Sequence, residues 1–125
     1  MIRGILLALA SSSSAFACDL DGVQLTSDDV DAPRAFVALD TVPLARPFSM
    51  QVLVCDPDQA DDMRVDAMMP AHQHGMNYTP QVTDQGKGVF QIDGMLFHMP
   101  GEWEIQVDIE FDQKSVPYTH IVTLK

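Results

Sequence analysis

From Glu102 to Asp112 polar and apolar residues alternate without a break. Trp103, Ile105, Val107, Ile109 and Phe111 fall on one side, and Glu102, Glu104, Gln106, Asp108, Glu110 and Asp112 on the other. A period of two over eleven residues predicts a strand with one face in a core and the other in water. The same period recurs at Tyr118, His120, Val122 and Leu124. It recurs again at Phe48, Met50, Val52 and Val54, where Asp56-Pro57-Asp58 then stops the strand. Ala35–Leu39 is a short apolar run ended by Pro43, and Arg64–Met68 predicts a further strand. No segment carries a helical period, and prolines and glycines punctuate the chain at strand-length intervals, the pattern of a β-sandwich.

A register argument separates one sheet from two. Asp93-Gly94 predicts a two-residue hairpin turn, which sets Ile92 opposite Met95 and Phe90 opposite Phe97 on one apolar face. The same construction at Pro100-Gly101 sets Phe97 opposite Glu104 and His98 opposite Trp103, so an apolar face would carry glutamates. That mismatch disappears if the chain passes from one sheet to the other at Pro100-Gly101, with both inward faces meeting in the middle. The expected fold class is therefore all-β, a two-sheet β-sandwich.

The N-terminus changes the count of residues available to it. Arg3, the apolar run Ile5–Ala10 and Ala15-Phe16-Ala17 have the charge, length and cleavage signature of a secretory signal peptide over residues 1–17. Residues 18–33 are polar and acidic and read as a loose arm, and 34–125 as the domain. In an exported chain the two cysteines, Cys18 and Cys55, pair by default. Such a bridge stabilises by roughly 3–4 kcal/mol on the chain-entropy view. Ala15 and Phe16 stand where a lipobox needs a Leu-like and a small residue, which argues against lipid attachment at Cys18. The expected location is periplasmic, with no transmembrane segment once the leader is removed. The chain carries 18 acids against 7 Lys and Arg, a net charge of −11. That surface repels phosphate backbones and anionic lipid, so nucleic acid is not an expected partner.

Against this acidic background Met68–Met76 reads MMPAHQHGM, with three methionines, two histidines and no acid or cysteine. Pro70 and Gly75 predict a loop, and Gly75 lets it bend so that His72 and His74 can face one ion. Imidazole suits zinc, copper, iron and nickel, while the thioether of Met76 narrows the choice to copper, Cu(I) above Cu(II). A second group, Met95-Leu96-Phe97-His98-Met99, adds His98 to the candidate ligands. Five of the seven methionines beyond residue 17, and three of the four histidines, lie between Met68 and Met99. Plain structural roles compete with ligation. Methionine is a pliable core filler, and Met50, Met63 and Met95 fit that role. Met99 shares the face of Phe97, and His120 reads as a core or rim residue.

Whether the two groups meet depends on the chain between them. If Thr79–Thr83 is a full strand, simple up-and-down counting puts Asp93-Gly94 near the histidine loop and Met99 about 17 Å away. Met95 is then the nearer partner. If Asn77–Thr83 is irregular, His98 remains within reach.

AMMPAHQHGMNYTP followed by GMLFHMPGEWEIQVDI resembles the YtkA-like family of small exported bacterial domains, over roughly residues 34–124. The resemblance implies an immunoglobulin-like sandwich outside the cytoplasm, linked to copper or other heavy metals, and similar to the periplasmic part of FixH-type oxidase-assembly proteins. His72, His74 and Gly75 match its first motif, and Met99, Pro100, Gly101 and Trp103 its second. The expected function is copper binding or delivery, with a recipient cuproprotein or oxidase assembly factor as partner. A metal-free protein-interaction module of the cell envelope is the alternative. Catalysis is not expected, because no nucleophile has a base beside it and no phosphate-cradling glycine loop appears.

Overall fold

The computed structural model of the chain describes residues 21–125. The expected leader at 1–17 and Cys18 lie outside the described residues. In chain order the strands are β1 Val23–Gln24, β2 Ala35–Ala38, β3 Phe48–Val54, β4 Ala60–Met69, β5 His74–Gly75, β6 Gln81–Asp84, β7 Val89–Met95, β8 Gly101–Phe111 and β9 Lys114–Leu124. One short 3-10 turn, Pro57–Gln59, joins β3 to β4. One sheet has the order β1-β2-β3-β7-β6 and the other β5-β4-β8-β9. Every pairing is antiparallel. With β2-β3-β7-β6 as A-B-E-D and β9-β8-β4-β5 as G-F-C-C′, this is the immunoglobulin-like arrangement.

The core is the meeting of the two inward faces. Trp103, Ile105, Val107 and Ile109 of β8 are fully buried, opposite Val37, Val52 and Ile92 of the other sheet. Met50 and Met63 are core residues, as their period predicts, and so is Met95. The chain leaves β7 in one sheet and enters β8 in the other across residues 96–100. That is the crossing the register argument required.

Asp93-Gly94 is not a hairpin turn. β7 runs straight through it, and β3 pairs along β7 on both sides: Phe48 opposes Met95 and Met50 opposes Ile92. Two residues of β7 thus face one of β3, which is a bulge, and Gly94 takes the left-handed conformation (φ 81°) that a bulge residue needs. The extra residue keeps Phe90, Ile92, Met95 and Phe97 all inward, so the expected apolar face survives for a different reason. The Ser49 hydroxyl and the Gln91 amide both donate to Asp93 Oδ1, at 2.6 and 3.1 Å. They hold its carboxyl below the usual range.

The described part of the N-terminal arm is tied into the sandwich rather than loose. β1 pairs with β2, and Leu25 is buried. Thr26 and Thr119 exchange backbone hydrogen bonds of 2.9 and 2.8 Å, which fasten the edge of one sheet to β9 of the other. The Cys18–Cys55 bridge involves a residue outside the described ones. At the other end of the proposed bridge, the Cys55 backbone N–H donates to Arg34 O at 2.9 Å.

Tyr118 of β9 is buried, its hydroxyl donating to the Pro33 carbonyl. Burial pushes its ionisation up to about 12 from 10.0. The unfolded chain therefore loses this proton before the folded one does. The associated stability is intact below about pH 10 and falls as pH rises toward 12. Chemical denaturation between pH 9 and pH 12 is expected to show that decline, and Tyr118→Phe to flatten it. Equal slopes in the two proteins would place the alkaline transition elsewhere.

Candidate metal centre

β4 and β5 form the hairpin that carries the histidines. Met69 pairs with His74 and Met68 with Gly75, leaving Pro70, Ala71, His72 and Gln73 as the connection. Pro70 pre-sets the first corner, and the His72 N–H closes it on Met69 O at 3.3 Å. Gln73 supplies the left-handed residue (φ 53°) that completes the reversal. Gly75 does not make the bend. It lies in β5, and a Cβ there would meet only Ala67 O at 3.8 Å. Gln73→Gly is therefore expected to stabilise the protein by about 1 kcal/mol, and Gly75→Ala to leave stability within about 0.5 kcal/mol. Urea denaturation of the two variants checks both.

His72 and His74 are exposed at the tip, with ring centres 6.4 Å apart and planes tilted by 38°. An ion held about 2 Å from one nitrogen of each ring sets ring centres about 5–6.5 Å apart. Small rotations of two exposed side chains suffice. Met76 is half-buried against the core, its N–H bonded to Ala67 O at 3.1 Å.

The second motif stands at the same end of the sandwich. β8 pairs with β4 from Met68 opposite Glu104, so the start of β8 abuts the end of β4. The contact is close: a Cβ on Gly101 would stand 2.8 Å from the Met69 methyl. β5 is only two residues long, and residues 76–80 cross to the other sheet without descending its length. Neither alternative for this segment holds in full: residues 77–80 are irregular and Gln81–Asp84 is a strand, and Met99 is not carried to the far end because β7 does not turn back at Asp93-Gly94.

Trp103 anchors this corner. Its indole stacks on Phe97 at 4.6 Å, and Nε1–H donates to Met99 O at 3.0 Å. Met99 packs half-buried on the core. His98 meets Trp103 edge-on at 5.5 Å, and its Nδ1 is buried with no hydrogen-bond partner. His98 does not join the other two histidines in a triad, since among the described residues no three His, Cys, Asp or Glu side chains gather to hold one ion. Met95 is buried in the core on β7, in the other sheet from the hairpin. The residue that sequence reasoning undervalued is Met69, which ends the inward series Met63, Val65, Ala67 by simple continuation of period two.

Two sizeable grooves lie away from the hairpin tip. One, of about 600 Å³, lies between β4 and β6, and its charged lining is Asp61, Asp62, Asp66, Asp84 and Asp108 with Arg64. The other, of about 480 Å³, lies between β2 and β9 and includes His120, whose proton affinity is lowered by burial. Among the described residues no helix is long and apolar enough to cross a membrane.

The fold and the hairpin define an immunoglobulin-like sandwich with an imidazole–thioether loop at one end. Residues 56–108 match the YtkA-like family, a span that includes both motifs and leaves the N-terminal strands and β9 outside it. Searches of curated proteins and of solved structures give no match.

Proposed function

We propose that this is an exported copper-binding domain that carries the ion as cargo and hands it to a recipient protein. The observation that carries the reading is the pairing of His72 and His74 at an exposed hairpin tip, 6.4 Å apart, with Met76 next along the strand. The donor set is neutral and soft, which fits copper better than zinc, calcium or magnesium. Exposure of two ligands lets a partner's donors replace them one at a time, as delivery requires. Export through a leader at 1–17 and a Cys18–Cys55 bridge belong to the same proposal. The role is that of a carrier and not of an enzyme. The acidic surface suits a basic recipient.

Anaerobic titration of the processed protein with Cu(I) against a chromophoric chelator tests this. One equivalent is expected to bind, and the His72→Ala/His74→Ala double variant to bind at least tenfold more weakly. Equal affinity in the two proteins removes the site. A protein isolated without copper from copper-supplemented cells, and unable to take it up, is the metal-free interaction module instead.

A further inference from the structure

The register of the hairpin says which sulfur atoms can accompany the imidazoles. Residues directly opposite in an antiparallel pair put their side chains on the same face. Met69 opposes His74, so the two stand on the same face of the sheet, Met69 buried and His74 exposed at its rim. Met76 opposes Ala67 through its bond to Ala67 O, which puts it on that same side, one position further along. On that face Met76 and Met69 are diagonal neighbours, with the small Ala67 opposite Met76. Met68 opposes Gly75 on one side and Glu104 on the other. It faces outward, away from His74.

We propose that Met69 is a second thioether ligand, so that Met69, His74 and Met76 form a sulfur–nitrogen–sulfur set selective for Cu(I), with His72 as the outer, exchangeable donor. The inference rests on the copper-carrier reading and adds to it the residue that sets the oxidation state. Three features converge on Met69. It is buried, 1 % exposed, and directly opposite His74. Its methyl lies where Gly101 has no side chain, so the corner that brings the second motif to this end of the sandwich also seats this thioether. Among the described residues no carboxylate joins two histidines to balance a divalent charge. A doubly charged ion in a partly buried neutral site loses more hydration than these donors return, whereas a singly charged soft ion loses less and gains sulfur bonds.

Copper X-ray absorption of the Cu(I)-loaded wild-type protein counts the sulfur neighbours without any substitution. Two sulfur scatterers are expected. Met69→Leu, which nearly conserves volume, is expected to drop the count to one and to weaken Cu(I) by about tenfold or more. Cu(II) binding should be unchanged within about twofold, and Met68→Leu should change nothing. One sulfur or none in the wild type, or an unchanged count in Met69→Leu, overturns the assignment. Those results leave the carrier reading standing if the double histidine variant still loses copper. Absence of copper binding in the wild type overturns both.

Discussion

Trp103→Ala is expected to lower the free energy of unfolding by about 4 kcal/mol, the range for deleting a fully buried aromatic side chain. Trp103 has no exposed surface. Its removal leaves a cavity between the sheets, beside one of the places where the chain changes sheet. The stacked Phe97 ring, 4.6 Å away and nearly parallel, loses a partner worth about 1 kcal/mol beyond burial. The Met99 carbonyl loses the indole N–H that holds the corner. For a domain of this size about 4 kcal/mol is a fall in Tm of roughly 15–25 °C. Since Trp103 is the only tryptophan, circular dichroism in guanidinium is the readout. Trp103→Phe should recover about half the loss, because it refills the cavity and still cannot donate to Met99. A loss under about 1.5 kcal/mol in the alanine variant would mean that residues 96–101 hold their path without the indole.

How far the fold is legible in the chain depends on which strands have one wet face. β8, β9 and β3 do, and their alternation is visible at a glance. β5 and β6 are short and mostly exposed edges, so no apolar period marks them. β1 lies in a polar stretch and is fixed by its backbone bonds to β2, which leave no trace in side-chain pattern. Asp93-Gly94 shows a local signal overruled by tertiary pairing. The dipeptide favours a hairpin turn, but β3 supplies ladder partners on both sides of it. Continuing the ladder through a bulge satisfies more backbone groups than turning back.

The candidate site divides along a similar line. Donor chemistry is a property of residue type, so His72, His74 and Met76 stand out from the sequence alone. Their surroundings depend on where the chain goes after Met76. The up-and-down count assumed a reversal at Asp93-Gly94 that β7 does not make. His98 was placed opposite Phe97 by strand alternation. In the corner between sheets alternation no longer applies, and the ring rests on Trp103 instead. Gly75 attracted the bend by its composition, while the left-handed residue is Gln73, held there by closure of the Met69–His74 pair.

Gly101→Val is expected to cost about 3 kcal/mol, and Gly101→Ala about 2 kcal/mol, for a reason that can be separated into two parts. The backbone at Gly101 has φ 126°, a conformation closed to side chains, and a Cβ there would stand 2.8 Å from the Met69 methyl. The methyl is the end of a flexible chain and can move by a few tenths of an ångström, so the overlap is the smaller part. The backbone strain cannot relax without shifting the start of β8, where Gly101 pairs with Leu124 of β9. A double-mutant cycle decides between them. In a Met69→Ala background Gly101→Ala should still lose most of its about 2 kcal/mol, with a coupling energy under about 1 kcal/mol. A coupling as large as the whole loss would show that the methyl contact, and not the backbone, is what reserves this position for glycine. In that case Met69 is held by Gly101 far more rigidly than a flexible thioether needs, and a ligand required to turn toward an incoming ion would be fixed in place before the ion arrives.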